Sequence, residues 1–201
     1  MRKFVEEEVR TRLQGMAPLA RGTVALCAAL RLLPAIRFGD PVRAGSIPRV
    51  VAELSSRLVT AITSTEVDTG ELRTVSDLAG RLVGELPTAD SALCDEDAYL
   101  DDACICFIYA AQSMVSPESD DALNALTTAY NAVDQWAIRE IGGNVIDEGA
   151  ILSSPVVQSE LDRQSQDISL LEAGASTERR QLVISRAREH LAIPVQVKRV
   201  Q

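Results

Sequence analysis

Carboxylates form the densest group of side chains in this sequence that could do chemistry. Asp95, Glu96, Asp97, Asp101 and Asp102 follow one another within a short stretch. On a helix, Asp97 and Asp101 share one face and Asp95 and Asp102 share another, so their oxygens could hold a divalent ion. Acids also favour the N-terminal end of a helix because the helix dipole is positive there. No Asp-x-Asp-x-Asp-Gly loop and no helical Glu-x-x-His pair accompanies the stretch, which favours the dipole interpretation.

The histidine and cysteine side chains are predicted to have structural rather than catalytic roles. His190 is the only histidine and is predicted near the carbonyl end of the last helix, where a positive charge is favourable. Cys104 and Cys106 are two residues apart, so on a helix they point to different sides and cannot share a thiolate site. With Cys27 and Cys94 they are predicted to be free thiols that pack as small hydrophobes. We therefore predict no catalytic residue.

Gly142 and Gly143 lack the pattern that follows the glycines of a phosphate-binding loop, so they indicate the end of a helix and no cofactor. Trp136 is the sole tryptophan and lies off the apolar seam of its predicted helix. If exposed, it would be a natural anchor for a partner, since interface hot spots favour tryptophan. The alternative is that it belongs to a second buried stripe against a neighbouring helix.

The net charge disfavours two classes of partner. The 201 residues include 29 acidic and 20 basic side chains, for a formal net charge of -9. Such a balance disfavours nucleic acid and anionic membrane as partners, because both need a positive face. No apolar run approaches the roughly 20 residues required to cross a bilayer, and the charged segment from Met1 to Arg10 is unlike a secretory signal. We predict a cytoplasmic protein.

Apolar residues recur at helical spacing along the whole chain, which predicts an all-α fold. Thr23 to Leu33 and Ala103 to Ala111 are apolar nearly all round, so they should form the two central helices of one compact bundle. Ser46 and Pro48 are predicted to begin an amphipathic helix, and Pro87 to end the next. The apolar positions of these two helices are Val50, Val51, Leu54, Leu58, Ala61 and Ile62, then Leu72, Val75, Leu78, Ala79, Leu82, Val83 and Leu86.

Further helices are predicted towards the C-terminus. One spans Leu123 to Ile141, with Ser119 as its cap, and Gly142 to Ser153 is predicted to be an irregular connection. Ser154 and Pro155 open the next helix, and Ser176 caps the last, which runs to about Leu191. We predict one domain over residues 1–193 and a mobile tail over 194–201. The inward positions predicted for these helices are Leu126, Tyr130, Val133 and Ala137, then Val157, Leu161, Ile168 and Leu171.

Several short stretches together resemble a bacterial family. In chain order they are Cys27 to Pro34, Leu86 to Asp90, Asp102 to Cys104, and Ser154 to Val157 leading to Glu160, Asp162 and Gln164. Their order is similar to that in the YjaG-like family, which is the domain of unknown function number four hundred and sixteen.

The resemblance implies a compact all-helical protein and implies no activity. Leu161 and Ser165 stand where that family usually has aromatic residues, so the chain would be a divergent member. Asp102 and Asp162 match polar positions of the family whose role is unassigned.

Three functions remain open at this point. The first is a non-enzymatic protein-interaction module, immunity- or antitoxin-like, whose acidic surface binds a basic protein partner. The second is a metal-binding protein or enzyme that uses Asp95, Asp97, Asp101, Asp102 and Asp162. The third is a structural subunit that forms a homo-oligomer through an apolar helix face.

Overall fold

The computed structural model describes residues 1–38, 45–66, 68–86, 95–116, 120–142, 147–190 and 192, with only the backbone of residues 37, 38 and 95–97. Every regular element in these ranges is a helix, which confirms the predicted all-α class. The helices are α1 (Glu6–Gln14), α2 (Pro18–Phe38), α3 (Ile47–Thr63), α4 (Thr69–Glu85), α5 (Asp95–Val115), α6 (Asp120–Ile141), α7 (Glu148–Ser153), α8 (Pro155–Glu172) and α9 (Thr177–Glu189).

The two helices predicted to be central, α2 and α5, pack against each other in the middle of the bundle. Gly22, early in α2, lies so close to late α5 that a Cβ atom there would be 2.6 Å from Met114 Cγ. Cys106, earlier in α5, lies within electrostatic reach of Arg31, later in α2. The two helices therefore run antiparallel, and most of their side chains are buried.

The prediction that no apolar run approaches the length of a membrane span is wrong for α2. The window Pro18–Ile36 has a mean hydropathy of 1.5 and is long and apolar enough, by length and composition, to cross a membrane. Arg21 and Arg31 are the charged residues of this window. Because 83% of the window is buried within the protein, α2 is consistent with the core helix of a soluble protein.

Helix α3 buries all of its predicted apolar positions, and α4 buries four of its seven. All six positions named for α3 are buried, and so are Val75, Leu78, Ala79 and Leu82 of α4. Val83, a predicted member of this stripe, is instead 54% exposed. It follows buried Leu82 directly, and consecutive helical positions point in different directions.

Several predictions about helix ends and the segments between helices are wrong. Residues 148–153, predicted to be irregular, form α7, whose N-cap Asp147 accepts hydrogen bonds from the backbone N–H groups of Gly149 and Ala150. Helix α1 is absent from the prediction because it buries a single residue, Leu13, which is too few for a helical pattern of apolar residues. Ser46 and Ser154 occupy N-cap positions, but neither side chain makes a capping hydrogen bond.

Other predicted helix ends are confirmed. The Ser176 hydroxyl caps α9 by accepting from the backbone N–H of Arg179, and Gly142 ends α6 with a φ of 63°, a left-handed conformation that glycine adopts without strain. Ser119, the domain boundary at residue 193 and the tail over 194–201 lie outside the described residues.

Candidate functional site

A buried ion-pair network joins α2 to α8. Arg31 donates from Nε and a terminal nitrogen to the carboxylate of Glu160, at 2.9 Å each, and from its other terminal nitrogen to Asp167 at 2.6 Å. The side chains of Arg31 and Glu160 are 1% and 0% exposed. Gln164 donates to Glu160 and to the backbone carbonyl of Leu126 on α6. Three helices are thus connected by polar contacts inside the core.

The sequence of α8 explains the geometry. Glu160, Gln164 and Asp167 are four and three residues apart, so they lie on one face of the helix. Apolar residues such as Ile168 continue this face and pack into the core. The polar side chains are thereby buried with them, and Arg31 supplies a counter-charge.

Burial governs the ionisation of this network. It raises the pKa of Asp167, although Arg31 acts in the opposite direction. Burial also works against the charged form of Arg31, but Glu160 and Asp167 outweigh it and raise the arginine's pKa. The thiol pKa values of Cys27 and Cys106 are raised well above their usual range, mainly by burial. These groups are closed off from solvent, so we assign the network to stability rather than to chemistry on a solute.

A second group of polar residues lies at the end of the bundle formed by early α5 and late α6. The Arg139 guanidinium of α6 lies 4.8 Å from the centre of the Tyr99 ring of α5. This contact brings half-buried Asp101 and Asp102, which follow Tyr99, to the same end as Trp136, which precedes Arg139 by one helical turn. We call Tyr99, Asp101, Asp102, Trp136 and Arg139 the α5–α6 end.

Asp102 has a carboxylate oxygen that lacks a hydrogen-bond donor within the described ranges. Its Oδ2 atom is enclosed and accepts no hydrogen bond from any described residue. Burial, with a smaller contribution from Asp101, raises the pKa of Asp102 to about 6. Its carboxylate is therefore held in surroundings that disfavour its charge.

The predicted site residues have different outcomes. Asp95 and Asp97 lie in the first turn of α5, but their side chains are outside the described part of the chain. Trp136 is half-buried, between the two alternatives expected for it. Asp162 is exposed on α8 and forms an ion pair with Arg2. His190 follows α9 directly as its C-cap residue, as predicted.

Metal binding gains no support from the described side chains. Among them, no group of three or more histidine, cysteine, aspartate or glutamate residues could hold a metal ion. Cys27, Cys104 and Cys106 are free and buried, as predicted, and Cys94 lies outside the described ranges.

The Arg31 network was missed at the sequence level. Its signal was a single arginine within an otherwise apolar helical segment, together with acidic and amide residues on the face of α8 predicted to point inward. Glu160 and Gln164 did appear in the stretches that resemble the bacterial family, but only as motif positions. A charge inside an all-round apolar helix indicates a buried counter-charge, because an unpaired buried ion is costly.

Comparisons with known proteins identify the fold. No family model matches the chain, and no curated protein matches it. The crystal structure of a DUF416 family protein from Shewanella baltica is similar, with a TM-score of 0.71 and 14% sequence identity over 94% of this chain and 95% of that one. The chain therefore has the fold of a DUF416 family protein, and the resemblance seen in the sequence is confirmed at the level of the fold.

Proposed function

We propose that this protein is a non-enzymatic protein-interaction module, a divergent relative of the DUF416 family, that binds a basic protein partner at the α5–α6 end. The observation that carries the proposal is the enclosed Asp102 Oδ2 atom, which no described residue satisfies. Because Asp102 as a whole is only half-buried, a lysine or arginine from a partner could approach its carboxylate and supply the missing charge. Hydrogen bonds to charged groups contribute about 1.5–3 kcal/mol each.

Neighbouring residues support this location. Trp136 is half-buried one turn from Arg139, and a rigid aromatic beside a charged group is a common centre of a protein interface. The net charge of -9 would speed the approach of a basic partner, an effect that salt screens.

The test is affinity capture from a lysate of the native host with the wild-type chain, Asp102→Asn and Asp162→Asn. Asp162 is an exposed aspartate on α8 and serves as the matched control. We expect a basic protein to be retained by the wild type and the control and lost by Asp102→Asn. With the purified partner, Asp102→Asn should weaken binding by roughly 30-fold or more, and added salt should weaken wild-type binding. Capture of no partner, or equal affinity for wild type and Asp102→Asn, would reject the proposal.

A further inference from the structure

A cleft lies between α2, α3 and α9, apart from the residues assigned to the α5–α6 end. Its volume is about 580 Å³, within the roughly 300–1,000 Å³ that is usual for small-molecule sites. Its walls are mainly apolar, which suits a ligand with an aliphatic or aromatic body. The apolar lining residues are Leu30, Leu33, Pro34, Ile36, Pro48 and Ala52.

Among the described residues, the polar side chains of the lining are those of Arg188, Ser55 and Ser56. Arg188, in the last turn of α9, is the only charged residue among the described residues of the lining, and it forms no hydrogen bond or ion pair with any residue in the described part of the chain. Ser55 of α3 is only 8% exposed, and its hydroxyl is not hydrogen-bonded within the described ranges. Ser56 lies beside it in the lining. An arginine and a buried hydroxyl are thus donors that the described part of the protein leaves unused.

The apolar walls and the unused donors of the cleft indicate which kind of ligand it can bind. A guanidinium group presents a fork of N–H donors that matches the two oxygens of a carboxylate or the oxygens of a phosphate. The apolar walls around it would bury a hydrocarbon chain, worth about 0.8 kcal/mol for each CH₂ group removed from water.

We propose that the cleft binds an amphiphile with an oxyanion head group and an aliphatic tail. The tail lies along Leu30, Leu33 and Ile36, and the head group meets Arg188, with the Ser55 hydroxyl as a second donor. The overall charge of -9 works against this preference, because at long range it attracts cations and repels anions. Selection of an anion must therefore come from the cleft itself.

Calorimetric titration of the full chain with decanoate, decyl phosphate and decylamine tests the proposal. We expect at least one of the two oxyanions to bind with a stoichiometry of about one and decylamine not to bind. Comparison of decanoate with decyl phosphate identifies the head group. Arg188→Gln should weaken binding about tenfold, equivalent to about 1.4 kcal/mol. Ala52→Trp, at an exposed position of the lining, should abolish it by filling the cleft.

Arg81→Gln is the matched control, since Arg81 is an exposed arginine on α4 that does not line the cleft. It should leave the affinity unchanged. Binding of decylamine as tight as that of the oxyanions, equal affinities for wild type and Arg188→Gln, or absence of binding by both oxyanions would each overturn the proposal. Because Asp102 is not part of the lining, these results are independent of partner binding at the α5–α6 end.

Discussion

The guanidinium of Arg31 and the carboxylate of Glu160 form a bidentate ion pair in the centre of the bundle, although the two residues are 129 positions apart in the chain. Neither side chain is appreciably exposed. Removing one member of such a pair leaves the other charge buried without compensation, which costs more than the pair contributes relative to apolar residues. The pair is therefore a point at which single substitutions should have large effects.

Arg31→Met should strongly destabilise the fold, because Glu160 and Asp167 would then be buried without a cation. We expect a loss of roughly 3–5 kcal/mol in the free energy of unfolding, measured by urea denaturation. The control is Arg57→Met, which breaks the more exposed pair with Glu71 and should cost at most about 1 kcal/mol. Similar losses for the two variants would show that the buried pair is not the important contact we describe.

The close packing of α2 on α5 predicts opposite effects for two Gly→Ala substitutions. In Gly22→Ala the new Cβ would meet Met114 Cγ at 2.6 Å, so the Met114 side chain or the helices must shift, at a cost of about 1–3 kcal/mol. Gly80 lies in α4, where an added Cβ atom would meet nothing within 4 Å, so Gly80→Ala should stabilise the protein by about 0.5–1 kcal/mol through helix propensity. Thermal melts of both variants check this, and a stabilising Gly22→Ala would contradict the packing.

Much of this architecture was predictable because it depends on local periodicity. The segments that are apolar nearly all round predicted α2 and α5 as the central helices, and the apolar positions that begin at Val50 and at Leu72 predicted α3 and α4. Helices α1 and α7 were not predicted because each buries a single residue, Leu13 or Ile151, and a periodic pattern needs several apolar positions.

The candidate site was less predictable because it depends on how distant helices pack. The acidic residues near Asp102 were visible as a cluster, but the enclosure of the Asp102 carboxylate arises from the surrounding fold. Likewise, the spacing of Glu160 and Asp167 indicates a shared face of α8, yet nothing local indicates that Arg31 faces them. Pairings between residues so far apart in the chain require the tertiary structure.

The described cysteines should be unreactive in the native state. Thiolates are the reactive form, and burial raises the pKa of Cys104 to about 12 and those of Cys27 and Cys106 well above their usual range. In a Cys94→Ser variant, which isolates these three thiols, we expect no rapid labelling by a thiol reagent at pH 8. Three thiols should label in urea. Rapid native labelling of any one of them would mean that the core opens more easily than its packing implies.

The raised pKa of Asp102 predicts the direction in which the stability of the protein changes with pH. Its folded-state pKa of about 6 exceeds the ordinary aspartate value of 3.8, so the folded state binds the proton more tightly than the unfolded state. The contribution of Asp102 to stability is therefore fully present below about pH 4 and is lost as pH rises through about 6. Asp102→Asn cannot ionise and avoids this loss.

We therefore compare the unfolding free energies of the wild type and Asp102→Asn at pH 4 and pH 7.5 by urea denaturation. The difference in unfolding free energy between Asp102→Asn and the wild type should be larger at pH 7.5 than at pH 4 by about 1–2 kcal/mol. This value is reduced for partial solvent screening. Asp162→Asn, at an exposed position, should show no comparable change. The native aspartate would then reduce stability at neutral pH, as expected of a carboxylate kept for a partner rather than for the fold. An advantage independent of pH would show that Asp102 is not held in the unfavourable surroundings on which partner binding at the α5–α6 end depends.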